Sequence, residues 1–304
     1  MPKETFNTLV VLGPTASGKT RLGVQLAAHL DGEILSADSR QVYRGLDIGS
    51  GKDLDEYQAD GRAIPYHLID LVDLKTEFSV FHFQRAFFEV FEALRARKTM
   101  PVVVGGTGLY LDAVLRGYHF LEVPENPALR AELDALPGEA LLTRLLRLKP
   151  SSHNTTDLAD RARTFRAIEI AEYEQHHTPE PTPEVRPLIL GTLWPRDELR
   201  ARIALRLKER LEHGLIEEVE TLHADGYPWE RFDLLGLEYR FVSQFLRGEI
   251  RSKNDLRQKL GAAINQFAKR QDTWFRRMER LGQTIHWVPR ADIAAALHIL
   301  QGVS

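Results

Sequence analysis

The sequence predicts an α/β fold, a P-loop parallel-sheet core carrying a small helical insert domain and a helix-rich C-terminal part. Three observations predict it. Residues 7–30 read as a β-rich apolar run, a glycine-containing loop and a helix with amphipathic spacing. Residues 101–115, "PVVVGGTGLYLDAVL", repeat the strand, turn and helix. Between about 118 and 187 strand runs vanish, and one resumes at 188. Strands alternating with helices imply a parallel sheet covered on both faces.

The elements follow in chain order. "NTLVVLG" (7–13) is a short strand ending in glycine, and 19–30 has helical spacing of its apolar residues. "GEILSADS" is a second strand running into a loop, and "YHLIDLV" (66–72) a third. Ser79 caps a helix through about Arg97, with Phe83, Phe87, Val90, Phe91 and Leu94 on one face. Prolines then gather at both ends of an arginine-rich helical stretch: Pro124 and Pro127, then Pro179, Pro181 and Pro183. The expected division is a catalytic core of 1–117 with 187–304, and an insert of 118–186. "LILGTLW" (188–194) resumes the core. Helices follow at about 196–212, 215–225 and 255–280, then a strand "IHWV" and a last helix.

Composition narrows the function. With 43% hydrophobic and 27% charged residues the chain is of the soluble globular class. The absence of cysteine excludes disulfides and thiolate metal sites, and the scattered histidines form no ligand set. No run of 18 apolar residues occurs, so no membrane span is expected and the cytoplasm is the default location. A net charge of −3 means that any nucleic-acid contact comes from a local patch. A monomer is the expected state.

Gly13, Pro14, Thr15, Ala16, Ser17, Gly18, Lys19 and Thr20 match G-x-x-x-x-G-K-[ST], with a strand before and a helix after. In such a loop backbone N–H groups converge on phosphate oxygens, the helix N-terminus adds partial positive charge, and the lysine adds a full one. Thr20 is placed to ligate Mg²⁺. The loop alone makes a small-molecule kinase or NTPase the default, and Asp70 in "HLIDL" is then the candidate metal acid. The loop "SADSRQVYRGLDIGSGK" is unusually polar for a segment after a strand. Asp38, Ser39, Arg40 and Gln41 put a carboxylate, a hydroxyl, a guanidinium and an amide within four residues, a set suited to an amino-bearing heterocycle.

"GPTASGKT", "SADSRQVYRGLDIGSGK", "GGTGLYL", "LLGLEYR" and "QFAKRQDTWFRR", in that order, resemble the tRNA dimethylallyltransferases, or tRNA isopentenyltransferases. The likeness runs from Leu9 to about Arg277. It implies that the cradle binds dimethylallyl diphosphate and that the five-carbon group goes to N6 of the adenosine 3′-adjacent to the anticodon in tRNA. It also implies the site. Asp38 resembles the catalytic aspartate, Thr107 the threonine contacting the reacting region, and Arg240 an arginine near the leaving group. Asp38, Ser39, Arg40, Gln41, Arg130, Arg163, Arg166, Lys269 and Arg270 fall among tRNA-facing positions. Related chemistry on free AMP, as in adenylate isopentenyltransferases, is the alternative acceptor.

Residues 251–280 supply the required patch, with nine basic residues against three acidic. Trp274 and Phe275 interleave with them as stacking groups would, while Phe267 reads as part of a packed stripe. The sequence departs from the family pattern in four places. "DLAD" (157–160) keeps only Asp160 of a His-Pro-Asn-Asp run, and Glu238 stands where glycine is usual. "GSGKD" replaces a common "GTAKP", and the segment to Pro65 is longer.

Overall fold

The computed structural model describes residues 6–118, 120–149, 160–178 and 181–303. Asp157 and Pro179, singled out above, lie outside these. The chain divides into two compact units, Met1–Gly117 with Pro183–Ser304, and Tyr118–Thr182. The first unit reclaims the end of the expected insert because Asn7 binds there: its Nδ2 donates to Glu184 O at 2.8 Å and its Oδ1 accepts from Arg186 N at 2.7 Å.

In the first unit β1 (Thr8–Leu12) leads through the glycine loop to α1 (Lys19–His29), and β2 (Gly32–Ala37) follows. A hairpin of β3 (Gln58–Ala59) and β4 (Arg62–Ala63) precedes β5 (Tyr66–His67). Next come α2 (Val80–Ala96), β6 (Met100–Gly105) and α3 (Gly108–Leu115). The second unit holds α4 (Pro127–Asp134), α5 (Gly138–Leu148) and α6 (Arg161–Glu174). The chain then returns through β7 (Pro187–Leu193) and α7 (Arg196–Glu212), then α8 (Leu215–Ala224), α9 (Trp229–Leu234) and α10 (Leu237–Leu246). The long α11 (Lys253–Arg280), β8 (Ile285–Pro289) and α12 (Ile293–Val303) complete it.

Six parallel strands stand in the order β5-β2-β6-β1-β7-β8. Strand alternation sends Val10 and Leu12 into one apolar cluster with α2, α3 and α11, and Leu9 and Val11 into another with α1 and α12. A third cluster joins α7, α8, α10 and α11 to the segment around Val42 and Leu46. No helix among the described residues is long and apolar enough to cross a membrane.

Two expectations are corrected. The third strand spans only Tyr66–His67, because Leu68 (φ 67°) and Asp70 (φ 55°) take left-handed backbone that ends the ladder. The helix-rich tail contains α9 and α10, which the sequence reading passed over between Asp225 and Asp255.

Candidate active site

The site grows from the carboxyl ends of β1, β6 and β2, where open parallel sheets bind ligands. Register aligns Leu12 with Gly105 and Gly105 with Ala37. The glycine loop, the Gly106–Thr107 turn and Asp38 therefore leave neighbouring strands at one level. Strand spacing sets Asp38 roughly 10 Å from Gly13.

The loop fits an anion because three of its carbonyls are turned to side chains outside the cradle's mouth or to Lys19. Lys19 Nζ donates to Pro14 O at 3.3 Å, Arg202 Nε to Ala16 O at 2.8 Å, and Trp194 Nε1 to Ser17 O at 2.8 Å. Thr192 of β7 donates to the buried Ser17 hydroxyl at 2.7 Å. Gly18 (φ 82°) caps α1 in the left-handed region with no side-chain cap bond, so the N–H groups of the first helical turn face outward. Gln271 of α11 bridges two parts of the site: its Oε1 accepts from Thr15 N and its Nε2 donates to Gly106 O, both at 2.9 Å.

Electrostatics agree. Burial, reinforced by Arg206 and opposed by Asp38, lowers the Lys19 ammonium to about 8. Arg206 Nη2 donates to Thr15 Oγ1 at 2.5 Å, and burial followed by repulsion from Arg210 lowers its guanidinium to about 10. Cations depressed in this way are stabilised by an arriving anion. The sequence reading missed Arg202 and Arg206. Their signal is the line Arg202, Arg206, Arg210 at i, i+4, i+8, where like charges repel unless a partner lies outside the helix.

Asp38 is half-buried, and its charge acts on Lys19, Arg206, Tyr57 and Tyr110. Its Oδ1 accepts from Arg40 N at 2.8 Å, a tight turn, and among the described residues Oδ2 has no hydrogen-bond partner. Thr107 accepts from Ser39 N at 3.1 Å through Oγ1 and donates from its own N to Ala37 O at 3.3 Å. The threonine thus ties the Asp38 loop to the glycine turn and makes no cap bond to α3. Ser39 and Arg40 remain partly exposed.

Four expected site residues make contacts within the protein. Gln41 is 8% exposed and spends both ends of its amide internally: Oε1 accepts from Ser36 Oγ at 2.7 Å, and Nε2 donates to Gly51 O at 2.9 Å. It braces the loop from within. Arg240 stands about 200° around α10 from Glu238, which faces Arg206 and Arg210. Its guanidinium lies over the Phe241 ring, and the arginines that reach the cradle are those of α7. In the insert, Arg130 binds the buried Glu169 through Nε (2.7 Å) and Nη2 (3.0 Å), and Arg166 binds it through Nη1 (3.1 Å). Arg166 also donates to Val123 O at 2.7 Å. Both organise the insert from within. Arg163 is different: its side chain is 61% exposed, with Asp160 at 3.4 Å.

On α11, Leu256, Leu260, Ile264, Ala268 and Phe275 form the buried stripe, and Lys269, Arg270 and Arg276 lie exposed. Stacking potential moves from where it was expected. Phe275 is core, and Trp274 donates to buried Asp112 at 3.1 Å. Phe267 is exposed, with the Arg270 guanidinium over its ring. Asp70, the candidate metal acid of a kinase, is ion-paired to Lys52, a side chain 1% exposed that also holds Asp47 at 2.6 Å. Glu218 clamps the same loop, accepting from the N–H groups of Asp47, Ile48 and Gly49 and from the Tyr239 hydroxyl.

The sequence pattern of the IPP transferase family matches residues 41–278, and that of isopentenyl transferases matches 6–64. The chain is 56% identical to tRNA dimethylallyltransferase 2 of Trichlorobacter lovleyi, over 99% of this chain and 98% of the relative. It is 59% identical to tRNA dimethylallyltransferase 1 of Geotalea uraniireducens, over 93% and 92%. Among solved structures it is similar to the full-length tRNA isopentenylpyrophosphate transferase of Bacillus halodurans, with TM-score 0.70 and 30% identity over 98% of this chain and 96% of that one. The fold is shared with a eukaryotic dimethylallyltransferase at TM-score 0.76 and 22% identity, covering 94% and 74%. With cradle, carboxylate and glycine turn placed as described, the chain belongs to the IPP transferase family and is a prenyl-transferring enzyme.

Proposed function

We propose that the protein transfers a dimethylallyl group from dimethylallyl diphosphate to N6 of the adenosine 3′-adjacent to the anticodon in tRNA, releasing diphosphate. One observation carries the reading. The Asp38 carboxylate stands at the same end of the sheet as the cradle, with Oδ2 unengaged among the described residues and its charge felt by Lys19. There, Oδ2 accepts a hydrogen bond from the adenine amino group. The N6 lone pair forms the new bond to C1 of the allylic chain as the C1–O bond breaks, and the departing diphosphate takes that electron pair. Asp38 accepts the N6 proton. Lys19 and Arg206 hold the charge that develops on the leaving group.

Mg²⁺ suits this cradle. Among the described residues no three His, Asp or Glu side chains cluster as a metal cage. A small hard cation that keeps waters and phosphate oxygens needs little more than the Thr20 hydroxyl. Bound there, it would neutralise diphosphate charge. Arg163, Lys269 and Arg270 are proposed RNA contacts, supported by their exposure and charge, together with the partly exposed Ser39 and Arg40 beside Asp38.

The test offers the protein labelled dimethylallyl diphosphate and Mg²⁺ with either unmodified tRNA or AMP, beside an ATP-turnover control. Label in tRNA is the expected result. Label in AMP alone, or ATP turnover without prenylation, overturns it.

A further inference from the structure

A pocket beside the cradle brings Thr15, Arg206, Arg210 and Glu238 together between aliphatic walls. Arg210 is 8% exposed. A guanidinium so placed is costly unless its donors are met closely. Its polar neighbours, Gly49 O and an Asp53 carboxylate oxygen, both stand at 3.5 Å, the outer limit of a hydrogen bond. Asp53 is its ion-pair partner, and among the described residues no ion pair to Glu238 is closed. The buried cation is held loosely and lies one helical turn from Arg206, which touches the cradle.

Its neighbours are matched to it. A Cβ placed on Gly51 would lie 1.9 Å from Arg210 Nη2, the free end of that side chain, so another residue at 51 pushes the guanidinium from this place, and the left-handed backbone there (φ 66°) favours glycine as well. Glu238, on α10, is the acidic member of the pocket and acts on both Arg210 and Arg206. Gly51 and Glu238 are two of the positions at which the sequence departs from the family pattern. Both departures bear on one side chain.

We propose that Arg210 is a further diphosphate-binding residue, housed by the space that Gly51 leaves and balanced before the donor arrives by Glu238. The assignment rests on the prenyl-transfer reading for the identity of the diphosphate. An arriving diphosphate offers the close oxygen acceptors that Arg210 lacks, and the guanidinium exchanges its 3.5 Å neighbours for charge-assisted bonds. Glu238 opposes that exchange as a like charge facing the anion.

The test is calorimetry with inorganic pyrophosphate and Mg²⁺ at pH 8, alongside steady-state kinetics with dimethylallyl diphosphate and tRNA. Arg210→Ala should weaken pyrophosphate and raise the donor KM roughly 10- to 100-fold, with the tRNA KM unmoved. Glu238→Gln, nearly isosteric, should tighten pyrophosphate severalfold, a sign that loss of a structural contact does not give. Gly51→Ala, by displacing the guanidinium, should weaken pyrophosphate in the same direction as Arg210→Ala and add little in the Arg210→Ala background, with melting curves confirming the fold. Unchanged pyrophosphate affinity in Arg210→Ala, or weaker affinity in Glu238→Gln, overturns the proposal. An unmodified chain that binds pyrophosphate yet transfers no prenyl group overturns the prenyl-transfer reading instead, and calorimetry still decides the role of Arg210.

Discussion

Asp38 and Lys19 do opposite jobs at one end of the sheet, and each can be removed separately. Asp38→Asn keeps the turn acceptor for Arg40 N but takes away the base. Single-turnover transfer to tRNA should fall by about 10²- to 10⁴-fold while pyrophosphate affinity stays within a few-fold. Lys19, lowered to about 8 by burial and Arg206, loses its proton early. Pyrophosphate affinity should therefore drop as pH rises through about 8, measurable by calorimetry across pH 6.5–9.5. Stability runs the other way. Between about 8 and the ordinary 10.5 the unfolded chain holds the proton more tightly than the folded one, so stability rises with pH across that window. Lys19→Met should accordingly raise the melting temperature at neutral pH while abolishing diphosphate binding.

Helices α6, α7 and α11 show how one residue type serves different ends by its position on an element. Glu169 lies on the inner side of α6. Burial would raise its pKa, but the bonds from Arg130, Asn126 N and Arg166 outweigh burial and lower it. Glu169→Ala removes the acceptor that Arg130 and Arg166 share, leaving them Glu125 and Val123 O, and should destabilise the insert by about 1–3 kcal/mol, seen as faster amide exchange within the insert and unchanged exchange in the sheet. Arg163, in the first turn, faces solvent. Arg163→Ala should raise the tRNA KM and make its salt dependence shallower by about one phosphate contact. Sequence could not separate these arginines, because spacing on α6 tells which residues share a face and not whether a buried glutamate waits there. The same limit hid Gln41, whose partners lie on a strand and in the Gly51 turn. Glycine loop, strand periodicity and the α2 cap were legible because their signals are local. The end of β5 was not, since Leu68 and Asp70 take left-handed backbone where the chain bonds to the distant 41–42 segment, Asp70 N donating to Gln41 O at 2.9 Å.

Across the whole molecule, a net charge of −3 coexists with an exposed basic face on α11, a helix about 42 Å long. Binding of tRNA should weaken steeply with added salt although the isoelectric point is acidic. A fluorescence-polarisation series from 50 to 300 mM salt would check this, a flat response counting against α11 as the RNA surface. The strand order carries a separate consequence for how the protein is made. β1, the first of these strands in chain order and buried on both faces, pairs on one side with β6 and on the other with β7, whose first residue follows the last of β6 by about 80 positions. For roughly 4–16 s of synthesis at 5–20 residues per second, a nascent half-sheet exposes an unpaired apolar edge while the intervening helices are being translated. A chain stopped at residue 186 should thus aggregate in light-scattering assays where the full chain stays dispersed, and chaperone demand during translation is set by the span between two adjacent strands.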